Sequence, residues 1–414
     1  MYKDLTYNFG SGPCTFSLNM PNKLQFNYFL YSSENLVREN SSASKAPLPL
    51  SRNMLVGKFD EKQENSFAVC DYFESVSTFL THQGVDPILT YASKALDQDI
   101  SKTAINAFNV TLIKHGEFYH PARIDTEICG KKFSFVLNVA ISNQGKGLVN
   151  KEFHLLQKLN KKFRPSFLPE VFCVGESQSK QNKKAVMFLG KWFESFHEFH
   201  MSYDPKARRN RVNVWTPDRS FFLSDEKTAK LYRQAAKILT TYYDIDSFEQ
   251  ISHWHHAAGD FVVHISSDDV SLKLITVRNY ASMFRADASS GKDDDTETIL
   301  EALLLFFLNM SIRIRLDRLD GVEDLIWSEN IAVENCLLGF YQGLKEHDGL
   351  QTGFADAFIS NYLSSFSLSI LYELSVSMVE KFYKNSSEIN IIQRNLKEHI
   401  QVLHTAINSL TKSL

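Results

Sequence analysis

Histidine is the residue type in this chain best suited to metal or acid–base chemistry, and it is unevenly spread. Among 13 histidines in 414 residues, three short clusters stand out: His115 with His120, His197 with His200, and His253 with His255 and His256. Two neutral imidazoles and a carboxylate make a ligand set for zinc or iron. On a helix, His197 and His200 would share a face, being three residues apart. The run His197-Glu198-Phe199-His200 is one residue too short for the zinc-protease spacing, which needs histidines four apart. Aromatic residues such as Phe118, Tyr119, Phe199 and Trp254 surround the clusters. Histidines in such settings commonly hydrogen-bond a backbone carbonyl. That structural role is the preferred reading, and no metal ligand is assigned.

Two charged runs are the next candidates. Arg313, Arg315, Asp317, Arg318 and Asp320 precede Gly321, and mutual Arg–Asp pairing at a helix end is preferred over an anion site built from Arg313 and Arg318. The basic stretch Lys206 to Arg211 is short and reads as a solvated loop rather than a nucleic-acid contact. The net charge of −3 gives no overall basic excess to attract phosphate backbones. No phosphate-cradling Gly-x-x-x-x-Gly-Lys loop and no Gly-x-Ser-x-Gly nucleophile turn occurs.

A third constellation lies in the middle of the chain. The strand-like run Phe133 to Ile141 ends in Val139-Ala140-Ile141-Ser142, and a helix bearing Glu152 follows. Two more strands are expected at Glu170 to Val174 and Ala185 to Leu189, then a connector, then helices. Further on stands His253-Trp254-His255-His256-Ala257-Ala258-Gly259-Asp260-Phe261-Val262-Val263. After it come two short strands, Phe261 to Ile265 and Val270 to Val277.

From residue 105 to 345 this order resembles the kinase-like phosphotransferase fold, especially the aminoglycoside phosphotransferase branch. In that family the first strand carries a lysine for the ATP phosphates, paired with a helix glutamate. Here the lysine position holds Ser142, Glu152 stands at the glutamate position, and Lys146 in the following loop is the candidate stand-in. His253 matches the first histidine of the family's catalytic loop. His255 stands at the catalytic Asp position and Asp260 at the metal-binding Asn position. Thr276 occupies the place of the second metal-binding Asp. The resemblance therefore implies catalytic positions at His255 and Asp260, and cofactor-binding positions at Ser142, Glu152, His253 and Thr276. The family's magnesium ligand pair does not assemble from these positions alone.

The elements that must carry these residues follow from patterning. Phe16 to Tyr31 supplies one or two strands, and residues 33 to 52 read as a loop. Phe73, Val76, Phe79 and Leu80 recur at helical steps. The Gly84-Val85-Asp86-Pro87 segment then breaks the run before a second helix, Pro87 to Leu96. Leu148 to Leu159 and Asp225 to Tyr243 are amphipathic, the latter capped by Ser224. From about 190 the chain is expected to be mostly helical, with an acidic loop at Gly291 to Asp295. Helices follow at about 296 to 317, 328 to 345, 352 to 384 and 386 to 412.

Composition sets the outer limits. At 43% hydrophobic residues with 32 phenylalanines, the chain can fill large cores. The five cysteines, Cys14, Cys70, Cys129, Cys173 and Cys336, are scattered, which argues against a disulfide framework and for a reducing, cytoplasmic location. The polar start Met1 to Gly10 carries no apolar signal-peptide core, and the uncharged stretch Ala357 to Tyr372, short for a bilayer span, is expected to be a buried helix.

Together these readings predict an α+β protein of two-lobed kinase-like architecture. Residues 1–105 form an accessory region and 106–190 a small β-rich lobe, an antiparallel sheet with one helix. Residues 191–414 form a mainly helical lobe with a short hairpin near 261–277. The expected function is a degenerate kinase-like protein that binds a nucleotide or other small ligand in an inter-lobe cleft without standard phosphotransfer. ATP and magnesium are the candidate cofactors. The alternatives are a histidine-based metal-binding protein and a non-catalytic protein whose C-terminal helices bind a partner. No nucleic-acid partner is expected.

Overall fold

The computed structural model describes residues 24–30, 37, 41–48, 67–116, 118–252, 254, 259–267, 269–283, 296–321 and 324–414. The fold is α+β, and the chain divides into two compact units. The first comprises Met1–Lys158 with Pro169–Glu194, and the second Leu159–Leu168 with Ser195–Leu414.

The first unit is built on six strands: β1 Gln25–Leu30, β2 Ala107–Leu112, β3 His120–Ile128, β4 Lys131–Ala140, β5 Val171–Gln178 and β6 Lys184–Lys191. Their order across the sheet is β1-β2-β3-β4-β6-β5. All neighbours are antiparallel except β1, which runs parallel to β2. A parallel neighbour needs a long crossover. Helices α2 (Val69–Phe79) and α3 (Val85–Leu96) provide it, after a single short turn of helix, α1 (Ser42–Lys45). Helix α4 (Asn143–Lys162) joins β4 to β5.

Alternation along the strands explains how the sheet is covered. In β4, Phe135, Leu137 and Val139 are fully buried at every second position, as one face of a strand requires. They join a single core with Tyr72, Phe73, Val76 and Phe79 of α2 and Ile88, Leu89 and Ala92 of α3. Strand β6 is buried along its interior on both faces. Ala185, Met187 and Leu189 enter the α2–α3 core, while Phe188 meets Phe153 of α4, ring centroids 6.2 Å apart. The expected break at Gly84 is a π-helical turn, Leu80–Gly84, so α2 passes into α3 without a loop.

The second unit contains more strand than the sequence predicts. Three strands, β7 Glu198–Asp204, β8 Arg209–Trp215 and β9 Ser220–Phe222, form an antiparallel sheet where helix is expected from about residue 190. Helix α5 (Asp225–Thr241) follows, and the Ser224 side chain accepts from the Lys227 N–H at its start. Then come β10 (Glu249–Ser252), the hairpin β11 (Phe261–Ile265) with β12 (Val270–Leu274), and β13 (Asn279–Ser282), which pairs with β10.

Helix α6 (Thr296–Arg313) ends in a short ladder, β14 (Leu316–Arg318) with β15 (Leu325–Trp327). The charged run 313–320 therefore begins at the helix end, Arg313, and continues into a strand and turn. The C-terminal helices are α7 (Ile331–Lys345), α8 (Phe354–Ala357), α9 (Leu368–Tyr383) and α10 (Ile389–Ser413). The single helix expected over 352–384 is bent by 97° between its halves. Serines cluster at the break. Ser360, Ser364 and Ser365 donate to the carbonyls of Asp356, Ser360 and Tyr362, a competition that weakens helices. Ser367 then caps α9 by accepting from the Ile370 N–H. Among the described residues, no single helix is long and apolar enough to cross a membrane.

Helices α5 and α7 approach closely because α7 presents glycines four residues apart on one face. A Cβ on Gly339 would lie 2.0 Å from the Arg233 carbonyl oxygen, and one on Gly343 2.6 Å from Thr240 Cβ. The Gly339 contact is with backbone and cannot be relieved by a rotamer change. Gly339→Val is expected to destabilise the second unit by about 3 kcal/mol, the upper range for overpacking. Chemical denaturation of the two proteins checks this; an unchanged midpoint would mean that the helices separate at no cost.

Candidate functional site

Each candidate site residue has a definite place, apart from His253, His255 and His256; these three lie outside the described residues, as do Cys14, Ala257, Ala258 and the expected acidic loop Gly291–Asp295. Ser142 follows strand β4 directly. Its Oγ accepts from the Gly145 N–H at 3.1 Å and its carbonyl from the Lys146 N–H at 3.0 Å. Ser142 thus caps α4, satisfying a donor that the first helical turn leaves open. Glu152 is buried, 1% exposed, nearly three turns further along the same helix. At a helical rise of 1.5 Å per residue the two are roughly 15 Å apart. The strand-end and helix positions that pair in kinase-like enzymes are not brought together here. Lys146 lies within α4 rather than in a loop. It is six residues from Glu152, a spacing that sends two side chains to different sides of a helix.

The positions around the hairpin do converge. Asp260 directly precedes β11, and Thr276 follows β12 by two residues. The Ile275 N–H donates to the Asp260 carbonyl at 2.9 Å, which closes the base of the hairpin and brings these two positions side by side. The Asp260 carboxylate is buried, and its Oδ2 accepts from Arg278 Nη1 at 2.6 Å. The Arg278 side chain remains 23% exposed. A second guanidinium, Arg313 at the end of α6, adds its charge near Asp260. Arg313 donates to the Trp254 carbonyl and to Glu388 at 3.3 Å. Its guanidinium lies 5.4 Å from the Trp254 ring centroid and 5.9 Å from that of Tyr383. Burial opposes the charge on Arg313, but Tyr383, Glu388 and Asp260 outweigh it and raise its pKa.

The base of the hairpin therefore carries a buried carboxylate paired with an arginine. A partly exposed guanidinium beside it presents a planar donor fork suited to phosphate or carboxylate oxygens. The magnesium of kinase-like enzymes does not fit these groups. Magnesium is held through one or two carboxylates together with phosphate oxygens. Here one carboxylate is already paired with a cation, and the second position is the neutral Thr276. Removing one partner from a buried ion pair costs about 3–5 kcal/mol, which a metal would have to overcome before binding.

Sequence reasoning passed over Arg278. Its signal was the need for a cation to compensate a buried Asp260, since an isolated buried charge is too costly to keep. That rule becomes usable only when the burial of Asp260 is known.

The histidine clusters resolve separately. His200 lies in β7, and His197 forms an isolated bridge with Val263, so the local backbone is extended rather than helical. In extended chain, residues three apart point to opposite faces, which removes the shared face on which a two-histidine site depends. His200 Nδ1 is 3.4 Å from Asp317 Oδ1, and its ring lies 5.0 Å from that of Trp215. His115 and His120 face each other with Nδ1 atoms 3.1 Å apart. Burial, and then the neighbouring His115, pushes His120 down to about 3. Among the described residues, no group of three or more His, Cys, Asp or Glu side chains is arranged to hold a metal ion.

The other charged candidates are engaged within the second unit. Arg209 bonds Asp225 at 2.6 Å and also Glu329, while Arg211 bonds Asp204 at 2.6 Å. Two cations of the basic stretch thus sit in a sheet and serve ion pairs. Arg315 is buried under Trp327 and donates to the Ser328 carbonyl and to Asn330.

The chain is an α+β protein with a buried, arginine-paired carboxylate at the base of a β-hairpin. No family model matches the sequence, and no curated protein matches it. Similar solved structures include WaaP in complex with acyl carrier protein, at a TM-score of 0.28 and 11% identity, covering 62% of this chain and 85% of that one. Another is a kinase domain, at a TM-score of 0.26 and 13% identity, covering 73% of this chain and 86% of that one. Both superpositions are too loose to bear on function.

Proposed function

We propose that this chain is a degenerate kinase-like protein that binds a nucleotide or another small phosphorylated ligand and does not carry out standard phosphotransfer. The hairpin base carries this reading. Asp260, Thr276 and Arg278 converge there, and Arg278 offers a cation with an accessible edge. The order of strands, helix and strands over β4, α4, β5 and β6, followed by helices and an inserted hairpin, supports the same reading. Neither an unpaired carboxylate for a metal nor a lysine at Ser142 favours phosphotransfer.

A thermal-shift series with ATP tests the proposal. A ligand that binds only the folded protein raises its melting temperature in proportion to the logarithm of its concentration above Kd. ATP at about 100 times Kd is expected to add about 2.7 kcal/mol. Arg278→Lys, which keeps the charge but loses the fork, is expected to shrink the shift. Melting temperatures unmoved by ATP up to millimolar concentration would refute nucleotide binding.

One observation favours a second reading, a non-catalytic protein that pairs with another chain through its C-terminal helices. Leu368, Ile370, Tyr372, Leu374 and Phe382 of α9 are all more than a third exposed. Sedimentation across a wide concentration range, for the native chain and for Ile370→Lys, separates self-association from a monomer.

A further inference from the structure

We propose that the outer edge of β5 docks an extended segment of a partner polypeptide, which adds to the sheet of the first unit as a further strand. The proposal is independent of the hairpin base and of nucleotide binding.

Three observations carry it. The first is which backbone groups of β5 are left over. This strand is outermost on its side of the sheet and pairs with β6 alone. Beyond its last residue the Ser179 N–H donates to the Lys183 carbonyl at 2.9 Å. Bonded pairs alternate along an antiparallel ladder. Counted back from Ser179, residues Ser177 and Gly175 face β6, while Gln178, Glu176 and Val174 face away. The Gln83 side chain agrees, since its Nε2 donates to the outward Glu176 carbonyl at 3.1 Å. Among the described residues, the N–H groups of Val174, Glu176 and Gln178 and the carbonyls of Val174 and Gln178 have no partner. Such a row of donors and acceptors is a template for another strand.

The second observation is a cleft along the same edge. It is open, holds about 260 Å³, and is lined by Glu176, Ser177 and Gln178 on the strand side and by Thr78, His82 and Gln83 on the other. The last three stand on α2 and on the π-helical turn that follows it. A strand laid along β5 would occupy this cleft, and one of its N–H groups would replace Gln83 Nε2 at the Glu176 carbonyl. Main-chain bonds supply affinity in this mode, and alternate side chains supply selectivity. Those facing α2 would meet a hydroxyl, an imidazole and an amide, which suits polar residues.

The third observation bears on the occupant. From Val174 to Gln178 there is no proline, lysine or bulge to discourage pairing, and Glu176 and Gln178 are exposed. The one charge, Glu176, disfavours a second copy of the chain. The antiparallel register that engages all three outward residues sets Glu176 opposite its twin, and like charges directly opposite are destabilising. A different polypeptide with a neutral or basic residue at that place avoids the repulsion.

Hydrogen exchange of the full chain, read by mass spectrometry at single residues, tests the edge. In the free protein the Val174, Glu176 and Gln178 amides are expected to exchange at least about tenfold faster than those of Gly175 and Ser177. Random linear heptapeptides displayed on phage are then selected on the immobilised chain, and the most enriched one is synthesised. Adding this peptide is expected to slow the three outward amides. Glu176→Pro removes one outward donor and no bond to β6, a position where an edge strand accepts proline. It is expected to weaken peptide binding about tenfold. Gln178→Pro follows the same logic and serves if circular dichroism shows that the first variant is unfolded. Slow exchange of the three amides in the free chain at every concentration would mean that the edge is already covered, and overturns the proposal. Protection that grows with protein concentration overturns it in favour of a second copy. A selection that enriches no peptide, or a peptide bound equally by wild type and a folded proline variant, also overturns it. None of these outcomes bears on ATP binding.

Discussion

Lowering the pH from 7 to 5 is expected to cost each unit of this protein about 2 kcal/mol of stability, through one buried histidine in each. His120 in the first unit and His399 in the second are both pushed down to about 3, in each case mainly by burial. His399 is fully buried on α10 and its Nε2 lies 3.1 Å from Ser311 Oγ. The Ser311 hydroxyl donates to the Leu308 carbonyl at 2.8 Å, so it can only accept from the ring. The Nε2–H tautomer follows, leaving Nδ1 as a bare, buried acceptor. A proton on Nδ1 would find no acceptor, and the positive Arg315 lies near enough to oppose it.

The sign of the effect follows from the order of the pKa values. In the folded chain these rings take up a proton only near pH 3, while in the unfolded chain they do so at 6.5. The unfolded state therefore binds more protons between those values. Stability is fully present above about 6.5 and is lost as pH falls towards 3. Urea unfolding at pH 7 and pH 5 measures the loss. His399→Phe, which keeps a ring but cannot titrate, should flatten the pH dependence of the second unit only. A wild-type chain equally stable at both pH values would show that these rings are solvated.

The fold was legible where one rule decided the outcome and obscure where a distant partner did. Phe133 to Ile141 reads as a strand because apolar residues alternate over a long run, and β4 spans Lys131–Ala140. The hairpin β11–β12 was readable from two β-rich runs around a polar turn. Strand β8 was hidden because Arg209 and Arg211 look like loop residues. Their charges are tolerable in a sheet only because Asp225, Glu329 and Asp204 come to meet them. The parallel pairing of β1 with β2 depends on the crossover through α2 and α3, which local patterning cannot express.

The same division holds at the candidate site. The nearness of Asp260 and Thr276 follows from a hairpin that returns the chain to its starting point. The pairing of Asp260 with Arg278 does not follow, because nothing in the local sequence shows that Asp260 is buried. Histidine spacing misled for a related reason. Three residues mean one face only on a helix, and Glu198–Asp204 is a strand.

Asp260→Ala is expected to destabilise the second unit by about 3–5 kcal/mol, the cost of stranding a charge whose buried partner is removed. The carboxylate is 1% exposed and its arginine bond is 2.6 Å long, so solvent screening recovers little. The substitution also leaves Arg278 and Arg313 with less negative charge between them. Asp260→Asn keeps the shape and one acceptor and should cost about 1.5–3 kcal/mol, the range for losing a charged hydrogen bond. Arg278→Leu in the Asp260→Ala background should then be nearly neutral, because the stranded cation is gone. The coupling energy from the double-mutant cycle should reach the upper part of the usual 0.5–3 kcal/mol range. The loss should be local. Hydrogen exchange ought to accelerate along β11 and β12 first, since the Ile275 N–H to Asp260 carbonyl bond closes their base. An Asp260→Ala protein within about 0.5 kcal/mol of wild type, the usual margin for exposed sites, would mean that the carboxylate is solvated and open to a metal. In that case Arg278 would be a neighbour rather than a partner.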